Sequence, residues 1–236
     1  MSQWVRNHWE VAWLFLLSVV FVAAPQLDLA VSALFYRPGP GFFLGETAWV
    51  QSVHHVVPVL TTAIPAVLTG LLALAYTPLG ARLRRQRLAL AYLLLSFALG
   101  PGLLVNGVFK SHWGRARPVT VQEFGGDKSF TPALLIADQC RRNCSFVCGH
   151  ASAGFVLCAL GFLTRRRVWF GAGFVLGMLL GLARVAHGKH FLSDVVFSFF
   201  AVYFCAKGLH FLMFGDRSPF RRRWPAPLRP AEKLGT

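Results

Sequence analysis

Three short polar clusters interrupt an otherwise apolar chain, and each carries residue types suited to chemistry on an anion. The first, KSHWGRARP, covers residues 110 to 118; the second, CSFVCGHASAG, covers 144 to 154; the third, RVAHGKHFLSD, covers 184 to 194. A phosphate ester needs cations on its non-bridging oxygens. Arginine offers them a planar fork and lysine a compact charge, so Lys110, Arg117 and Arg184 suit that task. The small pair Cys148-Gly149 lets main-chain N–H groups at a helix start approach the same anion. Hydrolysis also needs a nucleophile and an acid for the leaving oxygen, work that His190 and His150 divide between two clusters. Asp194 follows four residues after His190. A helix starting near there places the carboxylate beside the imidazole, where it fixes the tautomer and supports imidazolium character.

These side chains need a scaffold, and composition names its medium. The chain has 236 residues, 55% hydrophobic and 14% charged, with a positive mean hydropathy. That is too apolar for an ordinary soluble domain and long enough for several membrane spans. Uncharged runs predict six spanning helices at about 9 to 26, 53 to 76, 88 to 109, 146 to 163, 168 to 185 and 191 to 211. The fold class is therefore all-α and polytopic, one domain over 1 to 214 with a basic tail over 215 to 236. Gly100-Pro101-Gly102 predicts a kink in the third span, and Thr164 to Arg167 a tight helical hairpin. Arg6 ahead of an apolar run also fits a signal peptide, although Trp4, Trp9 and Trp13 suit an interfacial anchor better.

The net charge of +15 matters by where it falls. Arg82, Arg84, Arg85 and Arg87, then Arg165 to Arg167, then Arg221 to Arg223 all stand at span ends. By the positive-inside rule these lie in the cytoplasm with both termini, so the three clusters face outward. Residues 110 to 145 break the rule, with Lys110, Arg115, Arg117, Lys128, Arg141 and Arg142 against three acids. An anionic ligand is the simplest reason. No nucleic-acid-binding motif is present. Cys140 and Cys144 lie in that outward segment, either bridged or as two free thiols. Cys158 and Cys205 read as small packing residues.

Together the clusters resemble the signature of the type 2 phosphatidic acid phosphatase (PAP2) superfamily. Its first motif, lysine, six residues, then Arg-Pro, is matched by Lys110 to Arg117-Pro118. Val147-Cys148-Gly149-His150 stands for its Pro-Ser-Gly-His. Ala183-Arg184 with His190 and Asp194 stands for its Ser-Arg, five residues, His, three residues, Asp. The resemblance spans roughly residues 88 to 210. It implies a membrane helix bundle and metal-independent phosphomonoester hydrolysis without a cofactor. It further implies a phosphohistidine at His190, orientation by Asp194, proton donation by His150, and a cradle of Lys110, Arg117, Arg184, Cys148 and Gly149. Cys148 stands where the family places a serine that contacts phosphate, and its thiol is larger and a weaker donor.

A metal reading of His187, His190 and Asp194 is disfavoured by Arg184 and Lys189 among them. Arg115 and Lys189 are further candidates for substrate contact; His8, His54, His55, His112 and His210 read as interfacial or structural. Phe124-Gly125-Gly126, Phe130-Thr131-Pro132-Ala133 and Asn143-Cys144-Ser145-Phe146-Val147 are similar to bacterial lipid A phosphatases. The expected partner is a membrane lipid phosphate, at the periplasmic face of a bacterial inner membrane. Phosphatidylglycerophosphate or undecaprenyl diphosphate hydrolysis, lipid phosphotransfer by the same site, and lipid binding without turnover are the alternatives. Oligomeric state has no sequence signal.

Overall fold

A segment surrounded by lipid must pair its own backbone N–H and C=O groups, and a helix does so within itself. The computed structural model of this protein describes residues 8–215, and nearly all its regular structure is helical. The helices are α1 (Trp9–Ala23), α2 (Gln26–Ala33), α3 (Ala48–Leu74), α4 (Ala81–His112), α5 (Gly149–Phe155), α6 (Cys158–Thr164), α7 (Arg167–Ala186) and α8 (Leu192–Phe214). A small antiparallel hairpin pairs Tyr36–Arg37 with Gly41–Phe42 between α2 and α3. The expected basic tail with Arg221 to Arg223, and Arg6 of the signal-peptide reading, lie outside the described residues.

Four helices, α3, α4, α7 and α8, are long and apolar enough to cross a bilayer; α1 and α2, bent by 81° at their break, make a fifth if counted together. Length and composition thus support four or five of the six expected spans and do not confirm the sixth. The shortfall is at α5 and α6, whose joint run Gly149–Thr164 is shorter than 18 residues. Its first turn belongs to the second polar cluster, and its body is buried through Ala151, Gly154, Phe155, Ala159 and Phe162. This is the inner helix of the bundle, packed against α7 and α8. A Cβ on Gly154 would come within 2.5 Å of the Gly177 nitrogen, so small residues set how closely α5 and α7 approach.

The predicted kink in the third span takes another form. Ala98–Phe109 widens into π-helical geometry with Pro101 inside it. Pro101 has no N–H to give, and the Asn106 side chain donates to the Pro101 carbonyl at 2.8 Å. The wider turn thus absorbs the proline and leaves α4 continuous. The tight turn between α6 and α7 falls at Arg165 and Arg166, as its spacing predicts.

Chain direction then sorts the ends of the bundle. The C-terminus of α4, the N-terminus of α5, the C-terminus of α7 and the N-terminus of α8 carry the three polar clusters. The arginine-rich segments 82 to 87 and 165 to 167 lie at the other ends of these same helices.

Candidate functional site

Between α4 and α5 the chain runs back and forth across the polar end of the bundle. The Cys144 N–H donates to the Lys110 carbonyl at 3.1 Å and the Ser145 N–H to the Arg115 carbonyl at 3.0 Å, so the first and second clusters lie side by side. The Cys148 N–H donates to the Asp194 carbonyl at 3.0 Å, joining the second to the third. Trp113 stacks on Phe146 with ring centroids 4.7 Å apart and covers this seam.

The three candidate cations are each held by a neighbour. Arg117 Nη2 donates to the Asn143 carbonyl at 2.7 Å, and Lys110 Nζ stands 3.4 Å from Asn143 Oδ1. Arg184 is buried, and its Nη1 donates to His187 Nδ1 at 3.0 Å. Arginine only donates, so that His187 nitrogen accepts and the imidazole is neutral. Burial, then Arg184 and Lys189, push the His187 pKa down to about 4, which agrees with that tautomer. Burial, then Arg117 and Arg184, lower the Lys189 ammonium from its ordinary range, and burial lowers Arg117. Like charges crowd here, and an anion among them would relieve the repulsion.

Gly149 sits directly under Lys110, since a Cβ there would be 2.9 Å from Lys110 Nζ and 3.1 Å from Asn106 Oδ1. Cys148 caps α5, its Sγ accepting the Ala151 N–H at 3.5 Å, and is fully buried. A cavity of about 340 Å³ opens between α3 and α4 and is lined by Lys110, Asn106, Gly149, His150, Pro58 and Thr61. His150 Nε2 and Arg184 Nε are buried without a hydrogen-bond partner among the described residues. Unpartnered polar atoms at such depth are uncommon in a finished protein interior.

The imidazole of His190 departs from its expected setting. Its Nδ1 lies 2.7 Å from the Ser145 carbonyl and 3.6 Å from Asp194 Oδ2. The shared helix face is absent because α8 begins only at Leu192, leaving His190 in the preceding turn. Asp194 stands in the first turn of α8, and its Oδ2 accepts the Phe191 N–H at 2.8 Å in a capping role, so the oxygen that stands 3.6 Å from His190 Nδ1 is already engaged. The same Oδ2 accepts the Ser145 hydroxyl at 2.5 Å. Asp194 therefore holds Ser145, and Ser145 holds His190. A carbonyl can only accept, so His190 Nδ1 carries the proton and Nε2 keeps its lone pair.

Arg115, a candidate for substrate contact, is not available for it. It is fully buried, with Nη1 donating to Asp194 Oδ1 at 2.6 Å, Nη2 to Asp28 Oδ2 at 2.7 Å, and Nε to the Thr131 carbonyl at 2.8 Å. His54, read as structural, stands at the site instead: its ring centroid is 6.0 Å from that of His150 and 5.6 Å from that of His187. Asp28 was not singled out by sequence, and Asn143 and Ser145 stood out only within a stretch similar to lipid A phosphatases, with no role of their own. Asp28 and Ser145 had no spacing signal; an asparagine beside two arginines in a five-residue cysteine loop was a weak signal for Asn143. Cys140 and Cys144 form a disulfide that closes that loop.

His187 Nδ1 is taken by a guanidinium, which leaves the metal reading without one of its ligands. Among the described residues no group of three His, Cys, Asp or Glu is arranged to hold a metal ion.

The class defined by this bundle is a polytopic α-helical membrane protein with a cationic, histidine-bearing site at one end. The profile of the PAP2 superfamily matches residues 89–217, and the chain belongs to that superfamily. Among its relatives, a protein of Francisella tularensis subsp. novicida (strain U112) named lipid A 4'-phosphatase is 37% identical over 207 residues, 86% of this chain and 91% of its own length. A protein of Rhizobium leguminosarum with the same name is 34% identical over 198 residues, covering 76% of this chain and 84% of that protein. No solved structure matches the chain significantly.

Proposed function

We propose that this protein hydrolyses a phosphomonoester of lipid A, the 4'-phosphate, at the periplasmic face of a bacterial inner membrane. The observation that carries the chemistry is the tautomer of His190. With Nδ1 donating to Ser145, Nε2 offers its lone pair to phosphorus. Lys110, Arg117 and Arg184 bind the non-bridging oxygens and neutralise the charge carried through transfer. The P–O ester bond breaks as the Nε2–P bond forms; His150, which burial and Arg184 keep neutral, gains its proton as the phosphate dianion enters and gives it to the leaving alkoxide. Water then attacks the phosphohistidine, His150 takes the water's proton, and phosphate leaves with His190 restored.

The substrate class is supported by the surroundings of the site. An apolar groove of about 540 Å³ runs along α3 and is lined by Val53, Leu60, Ile64, Leu160, Leu176 and Leu180. It shares Val57, Thr61 and Phe97 with the cavity that reaches Lys110 and His150. An acyl chain fits the groove while its headgroup phosphate reaches the cations. The membrane orientation rests on Arg82 to Arg87 and Arg165 to Arg167 at the opposite helix ends, where positive charge favours the cytoplasm. The inner run Gly149–Thr164 also leads from the polar end to the arginine-rich end and makes the sixth crossing, so both termini face the cytoplasm as well.

The test is release of inorganic phosphate by the purified protein from lipid A, phosphatidylglycerophosphate and undecaprenyl diphosphate, with and without vanadate. Lipid A should be the best substrate and vanadate should inhibit. Preference for another lipid would overturn the substrate, and a newly phosphorylated acceptor lipid would turn the reaction into transfer. Phosphate release is expected to survive a strong chelator, because the charge is supplied by side chains; loss restored by added metal would refute that.

Two smaller effects follow from the geometry. Cys148→Ser is expected to keep or raise kcat, since serine caps a helix better and its hydroxyl is a stronger donor to phosphate. A tenfold loss in steady-state assays would give the thiol a role. Cys140→Ser, which opens the loop that holds Asn143 against Arg117 and Lys110, should raise KM roughly threefold to tenfold with kcat nearly unchanged, as expected when substrate and transition state lose the same contact. An unchanged KM would mean the loop keeps its place without the bridge.

A further inference from the structure

Asp28 lies in the first turn of α2, outside the residues matched by the family profile, and its carboxylate is fully buried. A carboxylate enclosed in an apolar bundle is costly unless every lone pair is used. Here they are used on groups that lead to the reacting imidazole. Asp28 Oδ2 accepts Arg115 Nη2 at 2.7 Å and Oδ1 accepts the Ser193 N–H at 2.9 Å. The Ser193 hydroxyl also donates to Oδ2, while its oxygen accepts Arg115 Nη1 at 2.8 Å. Arg115 Nη1 reaches Asp194 Oδ1, Asp194 Oδ2 accepts Ser145 Oγ, and the Ser145 carbonyl accepts His190 Nδ1.

We propose that Asp28 is a positioning residue for the reaction, fixing His190 through Arg115, Asp194 and Ser145; this rests on the reading of His190 as nucleophile. Two physical effects combine. Asp28 and Asp194 share one guanidinium, so neither can shift without breaking the fork of the other. Asp28 also caps the start of α8 from another helix, taking the Ser193 N–H that the helix leaves unpaired, while Asp194 takes the Phe191 N–H. The first turn of α8, which carries Asp194, is thereby locked to the bend between α1 and α2. The Arg115 guanidinium lies 4.4 Å from the Phe191 ring centroid and 5.5 Å from that of Phe130, so aromatic faces close the remaining sides. Water has no opening to this network, since Arg115, Asp28, Ser193 and Asp194 are all within a few per cent of full burial.

The experiment is a double-mutant cycle on lipid phosphate hydrolysis by the full chain in detergent. Asp28→Asn keeps the size and the acceptor for Ser193 but removes the charge that anchors Arg115. It is expected to lower kcat about tenfold to a hundredfold, the effect of a small misplacement of the nucleophile, with KM within about twofold. In an Asp194→Asn background the same change should cost less than about twofold, because the link it acts through is already broken. Equal losses in both backgrounds, or a rise in KM with kcat intact, would overturn the proposal. If Asp28→Asn is not recovered folded, Ser193→Ala decides: it removes a hydroxyl that touches both Asp28 and Arg115 and no charge, and an unchanged kcat there overturns the idea. Failure of the underlying reading looks different, since Asp194→Asn and His190→Ala would then leave phosphate release intact.

Discussion

Replacing His190 with alanine is expected to reduce phosphate release by about 10⁴-fold or more, the scale seen when a nucleophile acting within a unit is removed. The loss should be the same for a lipid phosphate and for p-nitrophenyl phosphate, because both need a nucleophile on phosphorus. His150→Ala should behave differently. A nitrophenolate leaves without a proton, so its hydrolysis should fall much less than that of a lipid alkoxide ester, whose departure needs an acid. Rates with both substrates, beside gel filtration to show a folded protein, make the comparison. Retained release in His190→Ala would remove His190 from the reaction, and equal losses in His150→Ala would remove the acid role. The expectation rests on a proton position. Ser145 accepts from His190 Nδ1 at 2.7 Å, so the lone pair is on Nε2.

Arg115→Met is expected to be the most damaging single change to the fold. The side chain neutralises Asp28 and Asp194, both fully buried, and methionine leaves two carboxylates facing each other without a cation. Removing one partner of a buried ion pair costs about 3–5 kcal/mol, and for a chain of this size that lowers Tm by ~10 °C or more. Thermal melts in detergent are the measurement, with activity lost in parallel. Adding Asp28→Asn to Arg115→Met should recover part of the stability, because one uncompensated carboxylate disappears. A double variant less stable than Arg115→Met alone would show that packing around the guanidinium outweighs its charge.

Much of the candidate site was legible because its residues are local in sequence. Lys110 and Arg117, Cys148 to His150, and Arg184, His190 and Asp194 each fall within one short cluster at a helix end, and their types imply the chemistry directly. Asn143 was half legible: it sits in the cluster region, but only the closed loop brings its carbonyl to Arg117. The rest depends on contacts across long separations. Asp28 meets Ser193 over 165 positions and Arg115 over 87, and no spacing rule reaches so far. His54 likewise comes beside His150 only because α3 packs against the inner helix. Arg115 misled for a related reason. An arginine beside a phosphate motif reads as a ligand until the carboxylates around it are seen.

The sequence by itself determined the medium, the helical class and the class of reaction, since hydrophobic length and residue type act locally and survive any rearrangement of neighbours. Tertiary structure alone decided what each polar group does. It made the short run Gly149–Thr164 an inner helix and not a further lipid-length span. It set Ser145 between Asp194 and His190, where a shared helix face had been expected. It enclosed Arg115 between two acids. The physical reason is common to all three. In a low-dielectric interior every buried donor, acceptor and charge must find a partner, and which partner is within reach depends on how distant helices pack.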